Sequence, residues 1–220
     1  RYGRDILSRI IIGSQTTLCA SLLLLIFIAI TGSLIGALCG LKGGRTDILL
    51  MRLADVFLAF PEMVFAIAVA GILGGGLIQA TIALALIGWP KYARLARGLV
   101  LAIRNTPYFA AARMSGTEKI GLLCHHVFPN IAGPILVTAA LNVGTIIMEL
   151  AGLSFLGLGA RPPTAEWGAM MNNGRSMLQV APWVILAPGT AIFITVATFN
   201  LLGDKLRDIF DPRQQPRRQD

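Results

Sequence analysis

A chain of 220 residues that is 55% apolar and only 14% charged, with a mean hydropathy of +0.71, is poor material for a water-soluble domain, which normally spends about a quarter of its residues on charge. Its net charge of +8 and pI near 10.1 would point to nucleic acid in a polar protein. No basic run interleaved with aromatics is present to bind nucleic acid, so the charge is read as the Lys/Arg bias of loops facing the cytoplasm from a membrane.

Arg1 stands where a Met would open a complete chain, and no basic-apolar-small signal pattern follows it. Residues 1–15 mix charge with Ile and Leu and are expected to lie on the outer interface as an amphipathic segment. Thr16 to Gly40 is free of charge and long enough to cross the hydrocarbon, which takes ~20 residues. Residues 41–47 form a turn, with Thr46 or Asp47 as the next helix cap. Ile48 to Leu73 is a second, less clean span, broken up by Arg52, Asp55 and Glu62 and kinked or interrupted at Pro61. Asp55 is read as the partner of Arg52. Gly74, Gly75 and Gly76 make a tight turn into a third span, Leu77 to Gly98, which carries Lys91, Arg94 and Arg97 on its last two turns.

The stretch Pro107 to Asn130 differs from its apolar flanks. Arg113, Glu118, Lys119, His125 and His126 make it too polar to cross a bilayer, while its alanines and leucines favour helix. Asn105 or Thr106 can cap a helix with Pro107 in its first turn, and Gly116 can end it. A second helix is expected from Thr117, with a break before Pro129. Ile131 to Gly152 is the fourth span and Trp183 to Gly203 the fifth. Residues 153–182 read as loop, rich in Gly and Pro, and residues 209–220 as a tail. The fold class is therefore all-α and polytopic, with five transmembrane helices in this chain.

Five spans put the two ends on opposite faces. One face then holds 14 of the 19 Lys and Arg, in residues 41–55, 91–125 and the tail from Lys205. The positive-inside rule makes that face cytoplasmic, with the C-terminus on it. An N-terminus starting outside without a signal peptide leads to the expectation of a sixth, earlier span. Trp167 and Trp183 are expected at the outer interface.

No Gly-x-x-x-x-Gly-Lys-Ser/Thr phosphate loop, His-Glu-x-x-His, Gly-x-Ser-x-Gly or Cys-x-x-Cys occurs, so the chain is read as a non-enzyme with no cofactor of its own. Cys19, Cys39 and Cys124 are read as small hydrophobes. Cys124, His125 and His126 are not read as a metal site, because adjacent residues point in different directions on a helix. Glu62 and Glu149, intramembrane carboxylates that usually face a cavity or a partner, are candidates for a substrate pathway together with Met148. The packing alternative gives Glu149 the role of fixing the following Gly-rich loop.

Four ordered motifs carry a resemblance over essentially the whole chain. Phe109-Ala110-Ala111-Ala112-Arg113-x-x-Gly116, followed by His126-x-x-Pro129-Asn130, resembles the cytoplasmic coupling signature of permeases from binding-protein-dependent ABC importers. Gly3-Arg4-Asp5-Ile6-Leu7-Ser8-Arg9, Gly43-Gly44-x-x-Asp47 with Met51-Arg52-x-x-Asp55 and Phe60-Pro61, and Leu153-Ser154-Phe155-Leu156-Gly157-Leu158-Gly159 with Pro163 and Glu166-Trp167-Gly168 resemble the dipeptide, oligopeptide and nickel class. The family usually has Glu where Ala110 stands, a carboxylate that helps hold the coupling helix.

The resemblance implies a transmembrane domain over residues 16–208 with a coupling loop at 105–130, in a bacterial cytoplasmic (inner) membrane. It implies import of di- or oligopeptides or of nickel or metal chelates. Its partners would be a homologous second permease, two ATPase subunits that bind the ATP, an external solute-binding protein and the lipid bilayer. Ala110, Ala111, Ala112, Arg113, Gly116, His126, Pro129 and Asn130 would then engage the ATPase, with Arg113 and Lys119 pairing to acidic groups there. Glu166, Trp167 and Arg175 would face the binding protein. The competing readings are a self-contained secondary transporter using Glu62 and Glu149 as proton or cation carriers, and a non-transporting membrane scaffold.

Overall fold

The computed structural model describes residues 5–116 and 121–210. Asp5 starts the first helix, accepting the Ser8 N–H at 2.8 Å. The Ser8 hydroxyl and N–H together hold its carboxyl below the usual carboxylate range. Helix α1 then runs unbroken over Ile6–Lys42, about 55 Å at 1.5 Å per residue and longer than the ~30 Å hydrocarbon core. No helix boundary falls at residues 15 and 16: from Ile6 onward the segment expected at the interface is continuous with the first long apolar helix.

Gly43 and Gly44, at φ 63° and 70°, turn the chain into α2 (Gly44–Leu58). Neither Thr46 nor Asp47 caps it. Asp47 lies in the first turn and its carboxylate is taken by Arg97. Pro61, which has no N–H to continue the helix and restricts the residue before it, separates α2 from α3 (Glu62–Ile72), and the two axes meet at 90°. Gly74, Gly75 and Gly76 all have positive φ, and this turn is tied to a distant loop, with Gly76 N–H donating to Leu158 O at 2.9 Å and Arg161 to Gly74 O.

Helix α4 (Leu77–Arg104) is followed by α5 (Pro107–Met114). Leu122–Val127 is a π-helical run that leads directly into α6 (Phe128–Phe155). The expected break before Pro129 is absent. Pro129 sits in the first turn of α6, and the wider preceding turns remove the carbonyl clash that proline would otherwise meet. The region expected to be loop contains α7 (Trp167–Gly174), and α8 (Trp183–Phe210) closes the described chain. Among the described residues there is no strand.

Three helical stretches are long and apolar enough to cross a membrane, Ile6–Lys42, Leu122–Phe155 and Trp183–Ile209, or four if α2 and α3 make one bent span. The expectation of five is therefore met only in part. The helix left out is α4, whose Lys91, Arg94, Arg97 and Arg104 offset its apolar first half.

The tightest packing joins α1 to α4. A Cβ on Gly32 would lie 2.5 Å from Trp89 O, one on Gly36 would lie 2.1 Å from Ala93 O, and one on Gly40 would lie 2.8 Å from the Val100 side chain. The spacing of four residues puts the three glycines on one ridge, which is how small residues let helices approach in lipid. Above this contact Leu24, Leu25 and Ile28 meet Leu84, Tyr92, Ile147 and Leu150 in the main core. Below it a second cluster gathers Ala37, Ala96, Val100, Phe109, Leu122, Val127 and Ile131.

Two ion pairs link α2 to α4. Arg97 grips Asp47 with two hydrogen bonds of 2.5 and 2.7 Å. Asp55, expected to pair with Arg52, instead meets Arg94, because the α2–α4 packing brings that guanidinium closer than its own helix does.

Two contrasts in thermal unfolding in detergent test this packing. Gly36→Ala is expected to lose about 2 kcal/mol by forcing α1 off α4, whereas Gly98→Ala, whose Cβ meets nothing within 4 Å, is expected to hold or slightly raise the melting temperature, because Ala is the better helix former. Asp47→Asn, which leaves a half-buried Arg97 without its carboxylate, is expected to cost about 1–3 kcal/mol. Asp55→Asn, at a half-exposed pair, is expected to cost less than about 1 kcal/mol. Equal effects within either pair would contradict the assignment.

Candidate coupling element and polar seam

Helix α5 is built by local rules and seated by distant ones. Thr106 caps it, its hydroxyl accepting the Phe109 N–H at 3.4 Å, and Pro107 occupies the first turn. Phe109 is buried in the second core cluster, and Ala112 is half-buried against it. Ala110, Ala111, Arg113 and Met114 face outward. Met114 is 87% exposed, more than any other large apolar residue described. Gly116, at φ 79°, reverses the chain. Glu118 and Lys119 lie outside the described residues.

The returning arm of the loop is clipped to the outgoing one. Tyr108 Oη is 2.6 Å from His126 Nδ1, and the two rings lie 5.3 Å apart. Asn130 Nδ2 donates to His126 O at 2.7 Å, so the distal half of the signature is fixed by its own residues. His125 Nδ1 lies 3.2 Å from Gly121 O. The two histidines thus take different partners, and no group of three or more His, Cys, Asp or Glu among the described residues is placed to hold a metal. Tyr108 did not stand out in the sequence, because its contact with His126 joins two separate helical segments and no spacing along a single helix reports it.

A line of polar groups follows α4 and the faces of α2, α3 and α6 that meet it. A cavity of about 520 Å³ is lined by Ile48, Met51, Arg52, Asp55, Arg94, Arg97 and Gly98. Three residues before Arg94, Lys91 Nζ donates to Asn142 Oδ1 at 2.6 Å. Asn142 Nδ2 in turn donates to Thr138 O at 2.7 Å and Tyr92 Oη at 3.3 Å. Glu149, two turns further along α6, is buried, and its Oε2 has no hydrogen-bond partner. That oxygen therefore makes no hydrogen bond to the Gly-rich loop that follows. Glu62 is exposed in the first turn of α3. Met148 is 58% exposed and lies on another face of α6 from Glu149, so the two do not line one wall together.

Glu166, Trp167 and Arg175, expected on an external docking face, divide differently. Glu166 is fully buried and caps α7, accepting the Gly168 and Ala169 N–H groups at 3.0 and 2.8 Å and the Thr17 hydroxyl at 3.3 Å. Trp167 is buried beside it and donates its indole N–H to Ile10 O at 3.0 Å, so it is no interface anchor, whereas Trp183 is exposed. Both Glu166 and Trp167 hold α7 to α1. Arg175 alone of the three is exposed, and its guanidinium stacks 4.8 Å from the centre of the Phe155 ring.

The pattern of the family described as "Binding-protein-dependent transport system inner membrane component" matches residues 32–216. The chain is 42% identical over 211 residues to the "Probable D,D-dipeptide transport system permease protein DdpC" of Escherichia coli (strain K12), covering 96% of this chain and 71% of that one. It is 41% identical over 219 residues to the "Dipeptide transport system permease protein DppC" of Alkalihalophilus pseudofirmus, covering 97% and 70%. A "Glutathione transport system permease protein GsiD" of Escherichia coli O6:K15:H31 is 44% identical over 211 residues, covering 96% and 70%. A chain of the inward-facing MetNI methionine ABC transporter superposes with a TM-score of 0.74 at 17% identity, over 93% of this chain and 97% of that one, which shows a shared fold. By sequence pattern, by relatives along nearly its full length and by fold, the chain belongs to the binding-protein-dependent transport system inner membrane components, as a multi-pass permease subunit of an ABC importer.

Proposed function

We propose that this subunit conducts short peptides into the cell, driven by ATP bound and hydrolysed on two separate ATPase subunits. The named relatives serve D,D-dipeptide, dipeptide and glutathione transport systems, and this common chemistry favours a peptide over nickel or a metal chelate. An external binding protein delivers the solute, and a homologous second permease completes the pathway. The C-terminus and the coupling loop 105–130 lie in the cytoplasm, on the strength of the Lys/Arg distribution.

The observation that carries the coupling reading is the division of α5 into two faces. Phe109 and the Tyr108–His126 contact hold it from behind, while Ala110, Ala111 and Arg113 are left bare in front. A helix so held transmits a push to α4 and α6 as a rigid lever, and its small front residues let a groove on the ATPase close around it. Alternation between outward and inward openings would follow as a rigid-body movement of packed helices. A secondary transporter has no use for such a face, which disfavours that alternative.

Copurification of the ATPase subunits and solute uptake by the reconstituted complex test this. Ala111→Trp places a large side chain on the bare face and is expected to lower ATPase recovery and uptake more than tenfold, beyond about 1.4 kcal/mol of docking energy. Gly116→Pro, which cannot adopt a positive φ, is expected to do the same by misdirecting the reversal. Arg113→Ala is expected to cost only a few-fold, as a surface charge contact of about 0.2–1 kcal/mol. Normal recovery and uptake with both Ala111→Trp and Gly116→Pro would overturn the coupling assignment.

A further inference from the structure

Glu149 is the one carboxylate among the described residues that is buried yet has an oxygen with no hydrogen-bond partner. Glu166, more completely buried, has its bonds from Thr17 and the α7 N–H groups. A partnerless carboxylate in a spanning helix is kept where something passing through can pair with it.

Its surroundings specify the chemistry of that visitor. Glu62 opens α3, and its neighbour Met63 reaches this part of α6, with its Cε 3.0 Å from where a Gly152 Cβ would stand. Two turns along the same face of α6, Asn142 holds the Lys91 ammonium, which uses one of its three donors there. Seven residues of helix separate Asn142 from Glu149, about 10 Å along the axis. Two peptide residues span about 7 Å when extended, and the side chains of Glu149 and Lys91 reach over the remainder. Negative charge thus lies at one level of the seam and positive charge at the other, as a free short peptide carries them. A bare cation fits less well, since Lys91 repels it and no set of three ligands among the described residues is placed to bind a metal.

We propose that Glu149 and Glu62 receive the α-ammonium of a short peptide while Lys91, aligned by Asn142, receives its terminal carboxylate, so that this permease itself selects zwitterions. The inference rests on the peptide reading of the transporter and adds to it a selection step inside the membrane.

The test uses proteoliposomes holding the whole transporter, with saturating binding protein and three probes: Ala-Ala, its C-terminal amide and its N-acetyl derivative. Each variant is compared with wild type for the same probe, which cancels the preferences of the binding protein. Glu149→Gln is expected to slow uptake of Ala-Ala and the amide about tenfold, the loss of one charge-assisted hydrogen bond, and to leave the N-acetyl probe unaffected. Lys91→Gln is expected to slow Ala-Ala and the N-acetyl probe while sparing the amide, with Lys91→Arg restoring most of the rate. Equal loss for all probes, or unchanged uptake of Ala-Ala in both variants, overturns the proposal. So does failure of Glu149→Gln to assemble, which would make the carboxylate a folding requirement. If wild type takes up none of the probes and loaded binding protein does not stimulate ATP hydrolysis, it is the peptide reading that has failed, and the zwitterion step goes with it.

Discussion

Gly32, Gly36 and Gly40 bring the backbone of α1 against the carbonyls of α4 over about 12 Å of helix. In lipid no hydrophobic force drives two apolar helices together, so close van der Waals contact has to hold them. Side chains of any size on this ridge would separate the helices by the width of a methyl group or more. The register set here decides several contacts beyond it. Arg104, at the last turn of α4, donates to Gly40 O at 2.8 Å, and Asp47, just past the Gly43–Gly44 turn, is placed opposite Arg97. The end of α4 is thereby fixed, and with it the point from which α5 departs.

The same contact explains how an apolar chain accommodates its charges. Each of Arg94, Arg97 and Lys91 lies on α4, and each finds a partner on a neighbouring helix: Asp55 and Asp47 on α2, Asn142 on α6. Leaving a buried polar group unpaired costs about 1–3 kcal/mol, and more if it is charged. A seam of compensated charges is therefore tolerable where isolated ones are not, and the orphan oxygen of Glu149 stands out against it.

What could be read from the sequence was what depends on neighbours a few residues apart. The Thr106 cap, Pro107 in the first turn and the reversal at Gly116 are local, and all three are where turn and capping chemistry place them. Glu166 and Trp167 were legible as a motif but not as buried residues, because Thr17 and Ile10, their partners, are about 150 positions earlier in the chain. Asp55 was assigned the nearest cation in sequence, Arg52, and took Arg94 instead. Residues 153–182 read as loop from their Gly and Pro content. One of those glycines, Gly168, is there because its Cβ would fall 2.2 Å from Ala151 O, a requirement of α7 packing on α6 and not of a turn.

Ala110 is the departure that tests how such an element is held. A signature carboxylate at this position would fasten α5 from its exposed side, and Ala110 offers nothing beyond its methyl group there. Fastening comes instead from the Thr106 cap at the start, Phe109 in the core cluster and the Tyr108 hydroxyl on His126. All three act from the end or the rear of the helix. Arg113 is left as the one charged side chain in α5, on an outer surface that it shares with Ala110, Ala111 and Met114. A front face free of anchoring duties can vary without unseating the helix, and it can meet its partner through shape, with a single charge to orient the contact.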